Sequence, residues 1–439
     1  MSRIAHRLSL AAAALAVAAS GAASAAEPTQ GANWDPKPAF REQTDAPAPK
    51  TPSPALNVQT LATGLTGAWS MAFLPGGRIL VAQSQGTMRI IDPAKEWSSP
   101  FLKGVPVVKQ IGAQGLHDVV LDPDFARNRT LYFTYFAPLD GEPGGAFPLH
   151  QLYEDVWSVP LAQRRAMKIG MEKIARARLS DDETALEDVR VIGTGTERRI
   201  VLARDGTIWG IGADRFWHYE SKLDGMEHDF TSEPDVRRNF AGRVIRINKD
   251  GSIPKDNPWL SRATVDAQTY AHGFKDPEGA AMNPATGELW TVEHGPQGGD
   301  EINIVRAGKD YGWPDVSYGV QYDARQADGR KNVRVGNGKQ SMPGVEEPVY
   351  FWVPSIAPSG MAFYTGDLFP QWKGNLFIGA MSAQHGMHLV RLVLDGNKVV
   401  GEEKLLTEPR RRIRDVRQGP DGALYVIAAD AILRITPKK

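Results

Sequence analysis

The sequence predicts an all-β protein, a six-bladed β-propeller with one inserted helical segment, and three observations lead there. The first is a recurring signature, a turn cluster followed by a short β-type run. It occurs at Gly77-Arg78-Ile79-Leu80-Val81, Thr130-Leu131-Tyr132-Phe133, Asp205-Gly206-Thr207-Ile208-Trp209, Gly287-Glu288-Leu289-Trp290, Gly374-Asn375-Leu376-Phe377 and Asp421-Gly422-Ala423-Leu424-Tyr425. The second is the uneven spacing of these runs, which suits four-stranded repeats whose loops differ in length. The third is composition: of 439 residues 44 are glycine and 31 proline, with 42% hydrophobic, a globular chain rich in turns. A pair of β-sandwiches has the same composition but gives no reason for one signature to return six times.

In chain order, residues 1–26 read as a secretory signal. Arg3 and Arg7 make a positive start, Leu8 to Ala19 is an apolar run too short to span a bilayer, and Ala23-Ser24-Ala25 offers small residues for cleavage. The expected location is the periplasm or outside the cell, with no membrane insertion. Residues 27–55 are polar and proline-rich and read as an extended arm. The propeller takes residues 56–439. Within it, about 150–177 reads as a helical insertion, since strong helix formers fill Pro160 to Ala177 and put Leu161, Met167, Met171 and Ile174 near one face. That segment is either a surface helix in a blade connection or a lid.

Charge and cysteine content narrow the chemistry. Lys+Arg 51 balances Asp+Glu 51, so no basic footprint calls for nucleic acid. The short basic patches at Glu197 to Arg199 and Arg410 to Arg414 suit small anionic ligands instead. The absence of cysteine excludes disulfides, thiolate metal sites and cysteine nucleophiles, so redox work requires a bound cofactor. No glycine-rich dinucleotide fingerprint and no G-x-S-x-G elbow is present.

The densest stretch runs from Tyr270 to Gly319, with YAHGFKDPEGAAMNPATGELW, TVEHGPQGGDEINIV and GKDYGWPDVSYG. With GLHDVVLDPDF at Gly115 to Phe125, GRVIRINKDGSIPKDNPW at Gly242 to Trp259, FWVPSIAPSGMAFYTG at Phe351 to Gly366 and RIRDVRQGPDGALYV at Arg412 to Val426, it resembles the soluble PQQ-dependent sugar dehydrogenases, the glucose/sorbosone and aldose sugar dehydrogenase family. The resemblance covers nearly the whole chain after the expected signal and implies the six-bladed propeller independently. It further implies that PQQ takes a hydride from a hydroxyl-bearing carbon of a small sugar or related alcohol, that a histidine removes the hydroxyl proton, and that Ca²⁺ polarises the quinone. Arg412 and Arg414 match the cofactor-facing arginines, Lys275 stands where another arginine is expected, and Trp352 matches a tryptophan near the cofactor plane. Gly295 and Pro296 match the carbonyl ligands of the cofactor-site calcium, and Asp300, Glu301 and Tyr311 lie where a second, structural calcium is built. The alternative for the GGDEIN segment is a turn between blade strands.

The departures from the pattern are as informative. Gly195 occupies the position of the catalytic histidine, four residues before Arg199, and glycine accepts no proton. Gln83 and Ser84 replace a Glu-Arg pair, Ala113 a glutamine (with Gln114 one place on), Asp276 an asparagine and His385 a lysine. His117, His294 and His385 are sent by the resemblance toward one end of the propeller, where imidazoles with Asp118, Asp276 or Glu293 suit a transition metal or an acid–base pair. His272 and His388 are further candidates. Three functions therefore stay open: a PQQ- and calcium-dependent dehydrogenase; a member without PQQ doing metal- or histidine-based hydrolase, lyase or isomerase chemistry; and a non-catalytic binding protein.

Overall fold

The computed structural model describes residues 36–111, 115–138, 145–147, 172–195, 197–214, 242–321, 333–335 and 338–438. Six four-stranded antiparallel sheets surround one axis as the blades of a propeller. Blade 1 takes Ala68–Phe73, Ile79–Gln83, Thr87–Asp92 and Trp97–Ser98, and blade 2 takes Leu116–Leu121, Thr130–Phe136, Glu172–Leu179 and Leu186–Gly195. Blade 3 is Glu197–Leu202, Thr207–Gly212, Gly242–Asn248 and Thr269–Phe274; blade 4 is Pro277–Met282, Leu289–Glu293, Asp300–Ile304 and Tyr350–Trp352. Blade 5 is Pro358–Phe363, Leu376–Ala380, His388–Asp395 and Lys398–Leu405. Blade 6 is Ile413–Gln418, Leu424–Ala428 and Ala431–Pro437, and its outermost strand is Leu56–Ala62 from the other end of the chain.

All six repeated signatures run into second strands of blades. These strands are apolar on both faces because each blade packs a core against the blade on either side. Six clusters fill the six gaps: Leu80 and Ala82 meet Val119 and Phe133 between blades 1 and 2, for example, and Met71 and Val81 meet Ile427 and Ile432 between blades 6 and 1. The first strands stand side by side around the axis.

The ring closes through Leu56–Ala62, which pairs antiparallel with Ala431–Pro437 from Leu56 opposite Pro437 to Ala62 opposite Ile432. Deleting the chain through Ala62 would leave Ala431–Pro437 an open edge and remove a ladder whose bonds are each worth about 0.5–1.5 kcal/mol. The expected result is a lower urea midpoint and association on size-exclusion chromatography; an unchanged monomer would count against closure by this strand.

Ahead of that strand the arm lies along the outer edges of blades 4 and 5. Phe351 N donates to Gln43 O at 2.8 Å, Glu402 N to Pro47 O at 2.9 Å, and Ser53 Oγ to Glu403 Oε2 at 2.6 Å.

The helical reading of Pro160 to Ala177 needs correction at its end. Glu172–Leu179 is the third strand of blade 2, hydrogen-bonded on both sides, with Ile174 opposite Thr134 and Gly193. Arg176 and Arg178 are half-buried while Ala175, Ala177 and Leu179 are buried, a period of two that sheet pairing selects over the helix propensity of the same residues. Residues 150–171 of the expected insertion lie outside the described residues, as do residues 1–35. No helix among the described residues is long and apolar enough to cross a membrane.

Candidate active site at the propeller mouth

In an antiparallel four-stranded blade, the connection into the first strand, the turn between the second and third strands and the exit from the fourth all fall at one end of the axis. Lys275 and Asp276, His294 to Gly299, His385, and Arg410 to Arg412 occupy such connections and so share this end, the mouth. The first-strand residues just inside it carry a set of ions that cross the axis.

Two networks form there. In the deeper one, Asp118 Oδ1 accepts from Arg199 Nη1 at 3.3 Å and Arg417 Nη2 at 2.7 Å, while Asp415 accepts from Arg199 Nη1 at 2.9 Å and Arg417 Nε at 3.0 Å. Two carboxylates and two guanidinium groups thus close a ring linking blades 2, 3 and 6. Ile200 N donates to Asp118 Oδ2 and Met71 N to Asp415 Oδ2, and Arg199 lies 4.1 Å over the Trp69 ring, which brings in blade 1.

In the outer network, Arg198 Nη1 bridges Asp276 Oδ1 at 2.8 Å and Glu278 Oε1 at 2.7 Å, and Arg414 Nη1 reaches Glu278 Oε2 at 3.1 Å. His294 Nδ1 stands 3.6 Å from Asp276 Oδ2, and its Nε2 is 2.7 Å from Pro358 O. A carbonyl only accepts, so Nε2 carries the proton. Burial opposes ionisation of Asp276, but the Arg198 guanidinium and the adjacent His294 ring hold its carboxyl well below the usual range. Burial likewise opposes charge on His294, yet Asp276 and Glu278 raise its pKa.

The candidate residues divide accordingly. Asp276 and His294 are in contact at the mouth. Asp118 is in the deep ring, wholly buried. His117 is also wholly buried, its ring 4.9 Å from Trp69, and His385 is exposed on the turn of blade 5. The expected convergence of His117, His294 and His385 on a metal is not found: among the described residues the one grouping of ligating side chains is Asp276, Glu278 and His294. Arg198 bridges the two carboxylates of that grouping and so holds the place of a cation. Gly195 ends the outer strand of blade 2, paired with Glu172. Gln83 is a buried tie to Thr66 O and Arg89, whereas Ala113 and Gln114 lie outside the described residues. His272 is buried 3.6 Å from Asp310.

Of the four cofactor-contact candidates, Arg414 is engaged by Glu278. Lys275 is buried with its ammonium 5.9 Å above the Trp313 ring, and Arg412 is exposed with Nη1 3.3 Å from Met381 O; among the described residues neither meets a carboxylate at ion-pair distance. Trp352 turns away from the axis, its Nε1 donating to Glu402 Oε2 at 3.0 Å.

The calcium candidates lie beside Lys275. A Cβ on Gly295 would stand 2.0 Å from Gly298 O and 2.4 Å from Gly299 O, so only glycine lets the loop fold back on Gly295 and Pro296. Asp300 is the turn-shaping residue: it accepts from Gly295 N, Ser355 Oγ, Ile356 N and Ala357 N, which uses its carboxylate inside the protein. The Tyr311 hydroxyl likewise bonds Ile304 O at 2.6 Å, which leaves only its backbone as a ligand. Glu301 remains available. Asn303 Nδ2 donates to Glu293 Oε1 at 3.0 Å and lies 3.4 Å from Glu301 Oε2, so two carboxylates flank one amide. Burial pushes Glu293 up to about 7, and burial together with Glu293 raises Glu301.

Reading the sequence missed Glu278, Asp415 and Arg417 as mouth residues, and took Arg198 only as part of a basic patch for anionic ligands. The signal was present: ERRIVL, PEGAAM and IRDVRQ carry charges inside strands that are otherwise buried, and a buried charge demands a partner. What the sequence lacks is the pairing.

Comparison with known proteins agrees with this architecture. The pattern of the Glucose / Sorbosone dehydrogenase family matches residues 65–435. Aldose sugar dehydrogenase YliI of Escherichia coli K12 is 33% identical over 391 residues, covering 87% of this chain and 93% of that protein. The crystal structure of the soluble aldose sugar dehydrogenase of E. coli in its apo-form superposes with a TM-score of 0.70 at 32% identity, covering 88% of this chain and all of that one. A PQQ-bound aldose sugar dehydrogenase of Streptomyces coelicolor has the same fold, with a TM-score of 0.62 at 21% identity over 88% of this chain and 99% of that one. The chain belongs to the glucose/sorbosone dehydrogenase family, whose relatives are oxidoreductases acting on sugars.

Proposed function

We propose that this protein is a periplasmic or secreted dehydrogenase that oxidises an aldose or related alcohol at the propeller mouth with PQQ and Ca²⁺, and that Asp276 accepts the hydroxyl proton. One observation carries the role of Asp276. Its side chain is 21% exposed, against 0%, 1% and 5% for Asp118, Asp415 and Glu278, so it is the carboxylate of the two networks that a substrate can reach.

The donor sets support both groups. The buried Glu293 and half-buried Glu301 carboxylates, beside loop carbonyls, make an oxygen-rich site suited to Ca²⁺. Lys275 and Arg412, with no carboxylate at ion-pair distance among the described residues, suit an anion with several carboxylates, and Arg414 is shared with Glu278. When bound, the quinone supplies the two-electron acceptor for the substrate's hydride.

The chain's own residues manage the proton. Arg198 and His294 fix the Asp276 carboxylate from two sides and keep it ionised. A weak base suffices, because a hydroxyl whose carbon is losing hydride becomes strongly acidic.

Reconstitution tests the reading. Protein incubated with PQQ and Ca²⁺ is expected to reduce a dye when given aldoses, and Ca²⁺ alone, at about 100 times its Kd, to stabilise the fold by about 2.7 kcal/mol. Absence of quinone binding in the presence of Ca²⁺ would remove the proposal.

A further inference from the structure

A second recess lies on the propeller axis, at the end opposite the mouth. There the closing halves of the first strands surround a well of about 460 Å³, within the range of ligand sites. Phe73, Leu121, Leu202, Met282, Phe363 and Gln418 end those strands and line it, and Arg417 of the deep ring faces it.

An innermost strand has one unpaired edge, and successive N–H groups along it point alternately to the neighbouring strand and away from it. Leu74 N donates to Arg78 O and Gly419 N to Ala423 O, each back across its own hairpin, and the same bond follows the first strand of the other four blades. The N–H groups one residue earlier, on the six residues that end the strands, therefore face the axis. Two residues deeper, about 7 Å along the strands, the equivalent groups already hold carboxylates. Met71 N donates to Asp415 Oδ2 at 3.1 Å and Ile200 N to Asp118 Oδ2 at 3.0 Å, each carboxylate also gripped by Arg199 and Arg417.

The tier facing the well repeats these donors. Arg417 gives Nε to Asp415 and Nη2 to Asp118, while its Nη1 makes no hydrogen bond among the described residues, and the side chain is 25% exposed. Gln418 is held through its carbonyl oxygen, which accepts from Thr365 N and Gly366 N, so its amide nitrogen is a further donor. Among the described residues no acidic side chain lines the well, and of the six residues that end the strands all but Gln418 are apolar. A guanidinium nitrogen and strand-edge amides at the floor, with apolar side chains at the outlet, match an anionic head on an apolar body.

We propose that this well binds a small carboxylate with an apolar body, a short-chain fatty acid or a molecule of that chemistry, with its head on Arg417 Nη1 and its chain among Phe73, Leu121, Leu202 and Met282.

Titration calorimetry with hexanoate at constant ionic strength tests it, with acetate and hexanol as comparators. Hexanoate is expected to bind one per chain, at least tenfold tighter than acetate, because its longer chain buries more apolar surface, and hexanol to show no binding. Gln418→Glu keeps an acceptor for Thr365 N and Gly366 N while adding a negative charge to the well, and should weaken hexanoate tenfold or more. Arg417→Lys should do the same; since that change also disturbs the deep ring, Gln418→Glu decides the matter if the lysine variant fails to fold. Arg412→Ala, at the other end of the axis, should leave the affinity as it was. Hexanoate that fails to bind, that binds Gln418→Glu as tightly as the unaltered protein, or that loses its affinity in Arg412→Ala would overturn the proposal. Hexanol binding as tightly as hexanoate would overturn it too.

Discussion

Replacing Arg199 with alanine is expected to cost about 3–5 kcal/mol of stability, measured as the loss of unfolding free energy in urea. The side chains of Arg199, Asp118 and Asp415 are 2%, 0% and 1% exposed, so neither water nor salt can take over the missing charge. Arg417 alone would then face two buried carboxylates from separate blades. The cation over Trp69 would go as well. Methionine at position 199 should do nearly as badly, since it fills volume without answering the carboxylates. A loss below about 1 kcal/mol would mean that solvent reaches the ring.

The second large effect is on catalysis. Asp276→Asn is expected to lower kcat of the reconstituted enzyme by about 10²–10⁴, the range for losing a positioned proton acceptor, and to lower the urea midpoint modestly through the lost ion pair with Arg198. Glutamate at 276 should restore part of the rate. The pH dependence follows from the depressed carboxyl. Its folded-state pKa lies below the ordinary 3.8, so the stability from its ion pairs is complete above that value and is lost as pH falls through the lower one. Activity limited by Asp276 should accordingly show no acid limb above about pH 4. An acid limb near pH 6–7 that persists in Asp276→Asn would reassign the base to another group.

The blades were legible in the sequence because a strand buried on both faces has to be apolar throughout, and the turn before it marks where it starts. The mouth was less so. Arg198 meets Glu278, and Arg417 meets Asp118, through partners that lie blades apart along the chain, and no local pattern records which charge answers which. Resemblance sent His117, His294 and His385 toward one end of the propeller, but His117, His385 and Trp352 could be separated from His294 only by knowing which way each strand turns its side chains. The Glu172–Leu179 strand was misread for a different reason. Its lysine, alanines and arginines favour a helix locally, and the decision belongs to Thr130–Phe136 and Leu186–Gly195, which sandwich it.

The pairing of Leu56–Ala62 with Ala431–Pro437 also orders events during biosynthesis. Blades 1 to 5 contain only strands that follow one another along the chain, so each can assemble as it is made. The sixth waits for the last strand synthesised, and until then both ends of the nascent ring present unpaired sheet edges. A chain that has not yet paired Ala431–Pro437 with Leu56–Ala62 holds most of its cores in place and no closed ring, which makes that stage the one when a holdase matters most to this protein.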